Sequence, residues 1–250
     1  MDKSVVFAVA GSGKTKSIVD ELSLDKRSLL VTYTNNNLRT LRNRVLGKFG
    51  YFPENIILYS YFTFLYSFCY KPFLSLKFKS RGINYDNNPD MYAKQTDIRR
   101  YYFDKYGRIY GNRIAKLLSQ EGILNDVNLR LEKYFENLFF DEVQDLGEHN
   151  FNLFRSVSQA NINIMAVGDF YQHTYDTRRD GKVNANLHEN YEKYKKVFVA
   201  MGYSVDTESL KVSYRCSPVV CDFISNGMGV EISSARTITL KSFVEKQTRR

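Results

Sequence analysis

The sequence predicts an α/β fold, a parallel sheet flanked by helices and interrupted by an inserted, mainly helical subdomain. Three observations carry that expectation. Short apolar runs alternate with stretches of helical periodicity along most of the chain. The first run leads straight into a glycine-rich turn and a helix. Between about residues 74 and 133 the strand rhythm stops, and basic and aromatic residues take over.

Taken in order, residues 4–8 read as a buried strand, and residues 14–22 follow as a helix with Ile18, Val19 and Leu22 on one face. Residues 29–32 form a second apolar run. The next helix places Leu38, Leu41 and Val45 at i, i+3 and i+7. Residues 56–59 look like a third strand, with an aromatic helix over 61–69. Strand signals return at 138–141 and 163–167. Residues 209–213 form the last, followed by Ser217 and Pro218 as helix cap and first helical residue. The expected divisions are a sheet lobe over 1–73 and 134–226, the insertion over 74–133, and a start of a second lobe or a tail over 227–250.

With 250 residues, 43% apolar and 15% aromatic, the chain is long and apolar enough to bury a full core, which excludes disorder as its main state. No apolar run nears the ~20 residues a membrane span needs. Cys69, Cys216 and Cys221 are too few for a disulfide framework, and three scattered histidines argue against a zinc site. The expectation is a soluble cytoplasmic protein. Its formal charge of +9 is uneven: residues 71–117 hold eleven Lys/Arg and four Asp, hence +7. Six tyrosines (85, 92, 101, 102, 106, 110) interleave with those cations. Cations neutralise phosphates and rings stack on unpaired bases; a solvated helical face is the competing reading.

Two motifs carry chemistry. Ala8-Val9-Ala10-Gly11-Ser12-Gly13-Lys14-Thr15 lies between a strand and a helix. Glycines let backbone N–H groups approach a polyphosphate, the helix start adds positive potential, Lys14 reaches the β/γ-phosphates, and the Thr15 hydroxyl ligates Mg²⁺. Ala8 stands where the general pattern has Gly. The second motif, Leu138-Phe139-Phe140-Asp141-Glu142-Val143-Gln144-Asp145, is an apolar strand ending in acids. Asp141 can hold Mg²⁺, and Glu142 is placed to take a proton from water attacking the γ-phosphate.

Together these motifs resemble the superfamily 1 helicases of the UvrD/Rep type, whose fold is a RecA-like P-loop NTPase lobe. Three more segments resemble the family in its order: Thr32-Tyr33-Thr34-Asn35, Gly168-Asp169-Phe170-Tyr171-Gln172-His173-Thr174-Tyr175, and Leu210-Lys211-Val212-Ser213-Tyr214-Arg215. The resemblance implies that ATP and Mg²⁺ bind at Ala10, Gly11, Ser12, Gly13, Lys14, Thr15 and Asp141. Gln172 would position the attacking water, Tyr214 would stack on adenine, and Arg215 would act as a charge-stabilising finger. Thr34, Asn35, Tyr175 and Arg178 would face single-stranded DNA, or RNA. Tyr61 and Phe62 match a further DNA-contacting segment more loosely. For each aromatic, core packing is the competing reading.

The chain departs from the family in lacking a Gln-containing segment upstream of the phosphate loop and in having Thr177 where an aromatic is frequent. The 35 residues after Arg215 are too few for the family's second lobe, so a partner or a continuation of the chain is expected to complete the motor. The expected activity is ATP hydrolysis coupled to single-stranded DNA, with weak or absent unwinding by these residues alone. The competing functions are an ATP-switched binding module and, less favoured, another P-loop enzyme such as a small-molecule kinase.

Overall fold

The computed structural model describes residues 1–172, 183–184 and 186–237. Six parallel strands form one sheet: β1 (Lys3–Phe7), β2 (Ser28–Thr32), β3 (Ile56–Ser60), β4 (Asn137–Asp141), β5 (Asn163–Gly168) and β6 (Ser204–Asp206). Their spatial order is β3-β2-β4-β5-β1-β6. The strands other than β6 have apolar centres with no polar alternation because both faces of the sheet are covered. Every residue of β2 and β4 is buried.

Alternation along each strand sorts side chains to two faces. Val6, Leu30, Phe139 and Val167 point to one, where they meet Ile18 and Val19 of α1 (Lys14–Asp20) and Leu41 and Val45 of α2 (Asn35–Phe49). Val5, Phe7, Leu29, Phe140 and Ala166 point to the other. That second face is covered by α3 (Ile114–Gln120), α4 (Leu124–Tyr134), α5 (Glu148–Val157) and α6 (Tyr191–Ala200). The adjacent strands β1 and β5 therefore send their following helices, α1 and α6, to opposite faces. Such a reversal opens a crevice at the carboxyl ends of the two strands. Register levels those ends: Phe7 pairs with Gly168, and Asp141 with both Thr32 and Val167.

Residues 61–78 are helical, capped by the Ser60 hydroxyl, which accepts from Thr63 N–H at 3.2 Å. The stretch Phe64–Tyr70 is π-helical, just before Pro72, which has no N–H to return to the preceding turn. The segment 79–97 is not helical, contrary to expectation. Its Asn and Asp side chains take the backbone donors that a helix would use: Asp86 N–H donates to Asn84 Oδ1 (2.9 Å), Asp90 N–H to Asn88 Oδ1 (2.9 Å) and Tyr92 N–H to Asp90 Oδ1 (3.0 Å). A two-residue parallel pair, Ile83–Asn84 with Ile109–Tyr110, ties this loop down. Leu74, Tyr102, Ile114, Leu117 and Leu131 share one continuous core with the sheet.

Strand β6 escapes the apolar pattern because it is three residues long with Ser and Asp at its ends. The expected last strand at 209–213 shrinks to Val212–Ser213, paired with Ser233–Ser234. Helix α7 (Pro218–Met228) follows, its Ser217 hydroxyl accepting from Val220 N–H as the sequence predicts. It spans the expected boundary at 226. Cys221 packs with Val9, Val230 and Ile232 in a small separate cluster. The three cysteines are unpaired. Among the described residues, no helix is long and apolar enough to cross a membrane.

Candidate functional site

The turn joining β1 to α1 leaves the sheet at the crevice. Ala8 N–H donates to Gly168 O (2.9 Å), fixing the exit of β1 against β5. Gly11 (φ 74°) and Gly13 (φ 99°) adopt the left-handed region, where side-chain-bearing residues are strained. Gly11 also lies under the 213–215 segment: a Cβ there would sit 2.5 Å from Arg215 Cβ. Tyr214 N–H donates to Gly11 O (3.0 Å), and the Ser213 hydroxyl to Ala10 O (2.8 Å). The Ser12 hydroxyl is buried and donates to Val9 O (2.8 Å). Helix α1 starts after Gly13 with no side-chain cap.

Lys14, the first residue of α1, is buried and faces acidic side chains. Its Nζ lies 3.5 Å from Asp169 Oδ2, with both side chains under a tenth exposed. Asp141, at the tip of β4, is also buried; its Oδ2 accepts from the Thr32 hydroxyl (3.5 Å), while its Oδ1 has no hydrogen-bond partner. Burial and the neighbouring Glu142 charge push the Asp141 carboxyl up to about 7, against the pull of Lys14. The same causes raise Asp145 to about 6, and burial raises Asp169 despite Lys14. Three carboxyl groups, Asp141, Asp145 and Asp169, thus feel the one lysine.

Glu142 follows at φ 60°, a strained position for a residue with a side chain. Gln144 holds it: the Gln144 amide donates to Glu142 Oε2 (2.9 Å), and its carbonyl oxygen accepts from Asp169 N–H (2.9 Å). Gly168 makes this bridge possible, because a Cβ there would lie 2.7 Å from Gln144 Oε1. Among the described residues, no three His, Cys, Asp or Glu side chains converge to hold a metal by themselves. The unpaired Asp141 Oδ1 instead suits Mg²⁺, which takes one or two protein carboxylates and leaves its other positions to water and phosphate.

The structure thus brings Lys14, Asp141 and Glu142 together, as the motifs imply. It adds Asp169 and Gln144, which lie inside quoted motifs but were assigned no role. Gln172 ends the short turn Phe170–Gln172 and is exposed. Tyr214 and Arg215 are exposed, adjoining Gly11 by their backbone. Thr34 caps α2, accepting from Asn37 N–H (3.1 Å), and Asn35 is exposed beside it. Tyr61 is only 2% exposed and stacks on Tyr33, so it packs in the core and offers no face to a nucleic acid. Phe62 is half-buried and meets the exposed Tyr85 edge-on. Tyr175 and Arg178 lie outside the described residues.

Half of the interleaved tyrosines are also core residues: Tyr101, Tyr102 and Tyr110 are buried, whereas Tyr85, Tyr92 and Tyr106 are exposed. Arg113 stacks on Tyr101 at 3.8 Å, and Arg108 pairs with Asp104. Lys71, Lys79, Arg81, Lys94, Arg99 and Lys105 remain as exposed cations.

The raised Asp141 carboxyl has a consequence for stability. A carboxyl whose folded value lies near 7 instead of near 4 binds its proton more tightly folded than unfolded. Its contribution is therefore full below about pH 4 and is lost as pH rises toward 7. Asp141→Asn keeps the shape and removes the charge. Without Mg²⁺ or nucleotide, it is expected to stabilise the protein by about 1–3 kcal/mol at pH 8 and far less at pH 4.5. Thermal melts of both proteins at the two pH values measure this.

No protein-family model matches the chain, and none of the curated proteins compared with it matches either.

Proposed function

We propose that this chain is the ATP-hydrolysing lobe of a UvrD/Rep-like motor acting on single-stranded DNA, with a RecA-like P-loop fold. The observation that carries the reading is the buried Lys14 paired with Asp169 and near Asp141 and Asp145, on a left-handed glycine turn at the sheet's crevice.

Lys14 exchanges its carboxylate neighbours for β- and γ-phosphate oxygens, and the Gly11–Gly13 turn lets the backbone approach them. Thr15 and Asp141 hold Mg²⁺, which offsets the charge that phosphate and the nearby acids would otherwise place together. Glu142, aimed by Gln144, takes a proton from the attacking water. Gln172 orients that water from the Asp169 turn, and Arg215 stabilises charge on the γ-phosphate. Tyr214 supplies an exposed ring for adenine.

The nucleic acid runs along Thr34, Asn35, Tyr175 and Arg178 and onto the 79–113 loop region. There Tyr85, Tyr92 and Tyr106 stack on bases while Arg81, Lys94, Arg99 and Lys105 meet phosphates. Completion by a second lobe, from a partner or a continuing chain, belongs to the same reading.

Steady-state ATP turnover with and without oligo(dT) or oligo(U) tests it. The expected result is Mg²⁺-dependent turnover that rises with the single strand and is weakened by salt. Tight ATP binding with turnover indifferent to either strand would favour an ATP-switched binding module instead.

A further inference from the structure

Lys14 does not wait in solvent. Its ammonium group pairs with Asp169 Oδ2 at 3.5 Å, and both side chains are under a tenth exposed. Among the described residues, Asp169 is the only carboxylate in ion-pair contact with Lys14. Asp169 is itself firmly placed. Its backbone N–H donates to buried Gln144, its Oδ1 accepts from Tyr171 N–H (3.1 Å), and its carbonyl accepts from Gln172 N–H (3.1 Å). One carboxylate therefore joins the phosphate-loop lysine to the turn that presents Gln172. Through Gln144 the same residue connects to Glu142.

We infer that Asp169 is a positioning residue that parks Lys14 before nucleotide arrives, so that the phosphates must displace a carboxylate to bind. The inference rests on the proposed nucleotide site and adds its regulation. A polyphosphate oxygen and Asp169 Oδ2 compete for one ammonium group, and a buried charge cannot be left without a partner. Nucleotide affinity is then set by an exchange of partners, and only the occupied site releases Asp169. Once released, the carboxylate is free to rearrange the Phe170–Gln172 turn. The site thereby senses occupancy through Lys14.

The test is the affinity of the 250-residue chain for ADP bearing a fluorescent ribose label, with Mg²⁺, in a double-mutant cycle. Asp169→Asn keeps the Oδ1 acceptor for Tyr171 and removes the ion pair. It is expected to tighten binding roughly five- to tenfold. Deleting any negative charge near a polyphosphate also tightens binding, so Glu142→Gln serves as the charge control, with a gain of about twofold or less. In a Lys14→Met background no lysine remains to be parked. There Asp169→Asn should gain no more than Glu142→Gln does.

An Asp169→Asn gain equal to the Glu142→Gln gain, or one that persists with Lys14→Met, would overturn the parking role while leaving the nucleotide site intact. Failure of the wild-type chain to bind ADP, or equal binding by Lys14→Met, would overturn both. A thermal melt of Asp169→Asn with a transition as sharp as wild type shows that the comparison is made on folded protein.

Discussion

Glu142→Gln is expected to lower ATP turnover by a factor of about 10²–10⁴ while leaving nucleotide affinity within about twofold. The substitution preserves the side chain's length and its acceptor for the Gln144 amide, which donates to Glu142 Oε2 at 2.9 Å. It removes only the capacity to take a proton. The strained backbone at Glu142, φ 60°, points the same way: such a conformation costs about 1 kcal/mol and persists where the surroundings impose it. Here the imposition comes from Gln144, clamped between Glu142 and the Asp169 N–H. Single-turnover hydrolysis alongside nucleotide titration separates the two quantities. A variant that hydrolyses within threefold of wild type would remove Glu142 from the role of base.

Phe198→Ala should destabilise the fold by about 3–5 kcal/mol, a large share of the 5–15 kcal/mol that a domain of this kind possesses. Phe198 is completely buried on α6 and sits among Phe7, Phe151, Phe154, Tyr194 and Tyr203, with ring centroids 5.2–5.9 Å away. Truncation leaves a cavity that rigid rings from β1, α5, α6 and the turn after it cannot close. The loss has a functional side, since Phe7 ends the strand that launches the glycine turn. Urea unfolding reads the change as a shift in midpoint at unchanged slope. A loss below 1 kcal/mol would mean that this aromatic cluster is loosely packed.

How far the sequence discloses the molecule differs by region. Strand β1 was expected at residues 4–8 and occurs at Lys3–Phe7; α1 was expected at 14–22 and occurs at Lys14–Asp20. Buried parallel strands and a helix with a regular apolar stripe announce themselves locally. Strand β6 does not, because Ser204–Asp206 joins the sheet only where the edge of β1 accepts it. The 209–213 run shows the opposite failure. It reads as a strand over five residues, yet Ser209 N–H donates to Asp206 Oδ1 (3.0 Å) and Leu210 O accepts from Val9 N–H (3.2 Å), which leaves only Val212–Ser213 to pair.

The site was legible to the same degree. Lys14, Asp141 and Glu142 stand in motifs whose spacing carries their chemistry. The partnership of Asp169 with Lys14 and with Gln144 needs β1, β5 and β4 side by side, which strand order alone supplies. Adjacent aromatics were not separable either. Tyr61 and Phe62 are about 100° apart around a helix, so one packs inward against Tyr33 while the other reaches Tyr85. In the basic segment, tyrosines at 101, 102 and 110 went to the core for the same reason: a ring suits a hydrophobic interior as well as a base.

Everything functional depends on whether the lysine-bearing turn and the β4 acids grip one magnesium-bound triphosphate. Isothermal titration of the intact chain with a non-hydrolysable ATP analogue, in Mg²⁺ and then in EDTA, measures this directly. Saturable one-to-one binding is expected in Mg²⁺, weakened at least about tenfold both by EDTA and by Lys14→Ala. Binding that ignores both the metal and Lys14, or no binding at all, would contradict the account.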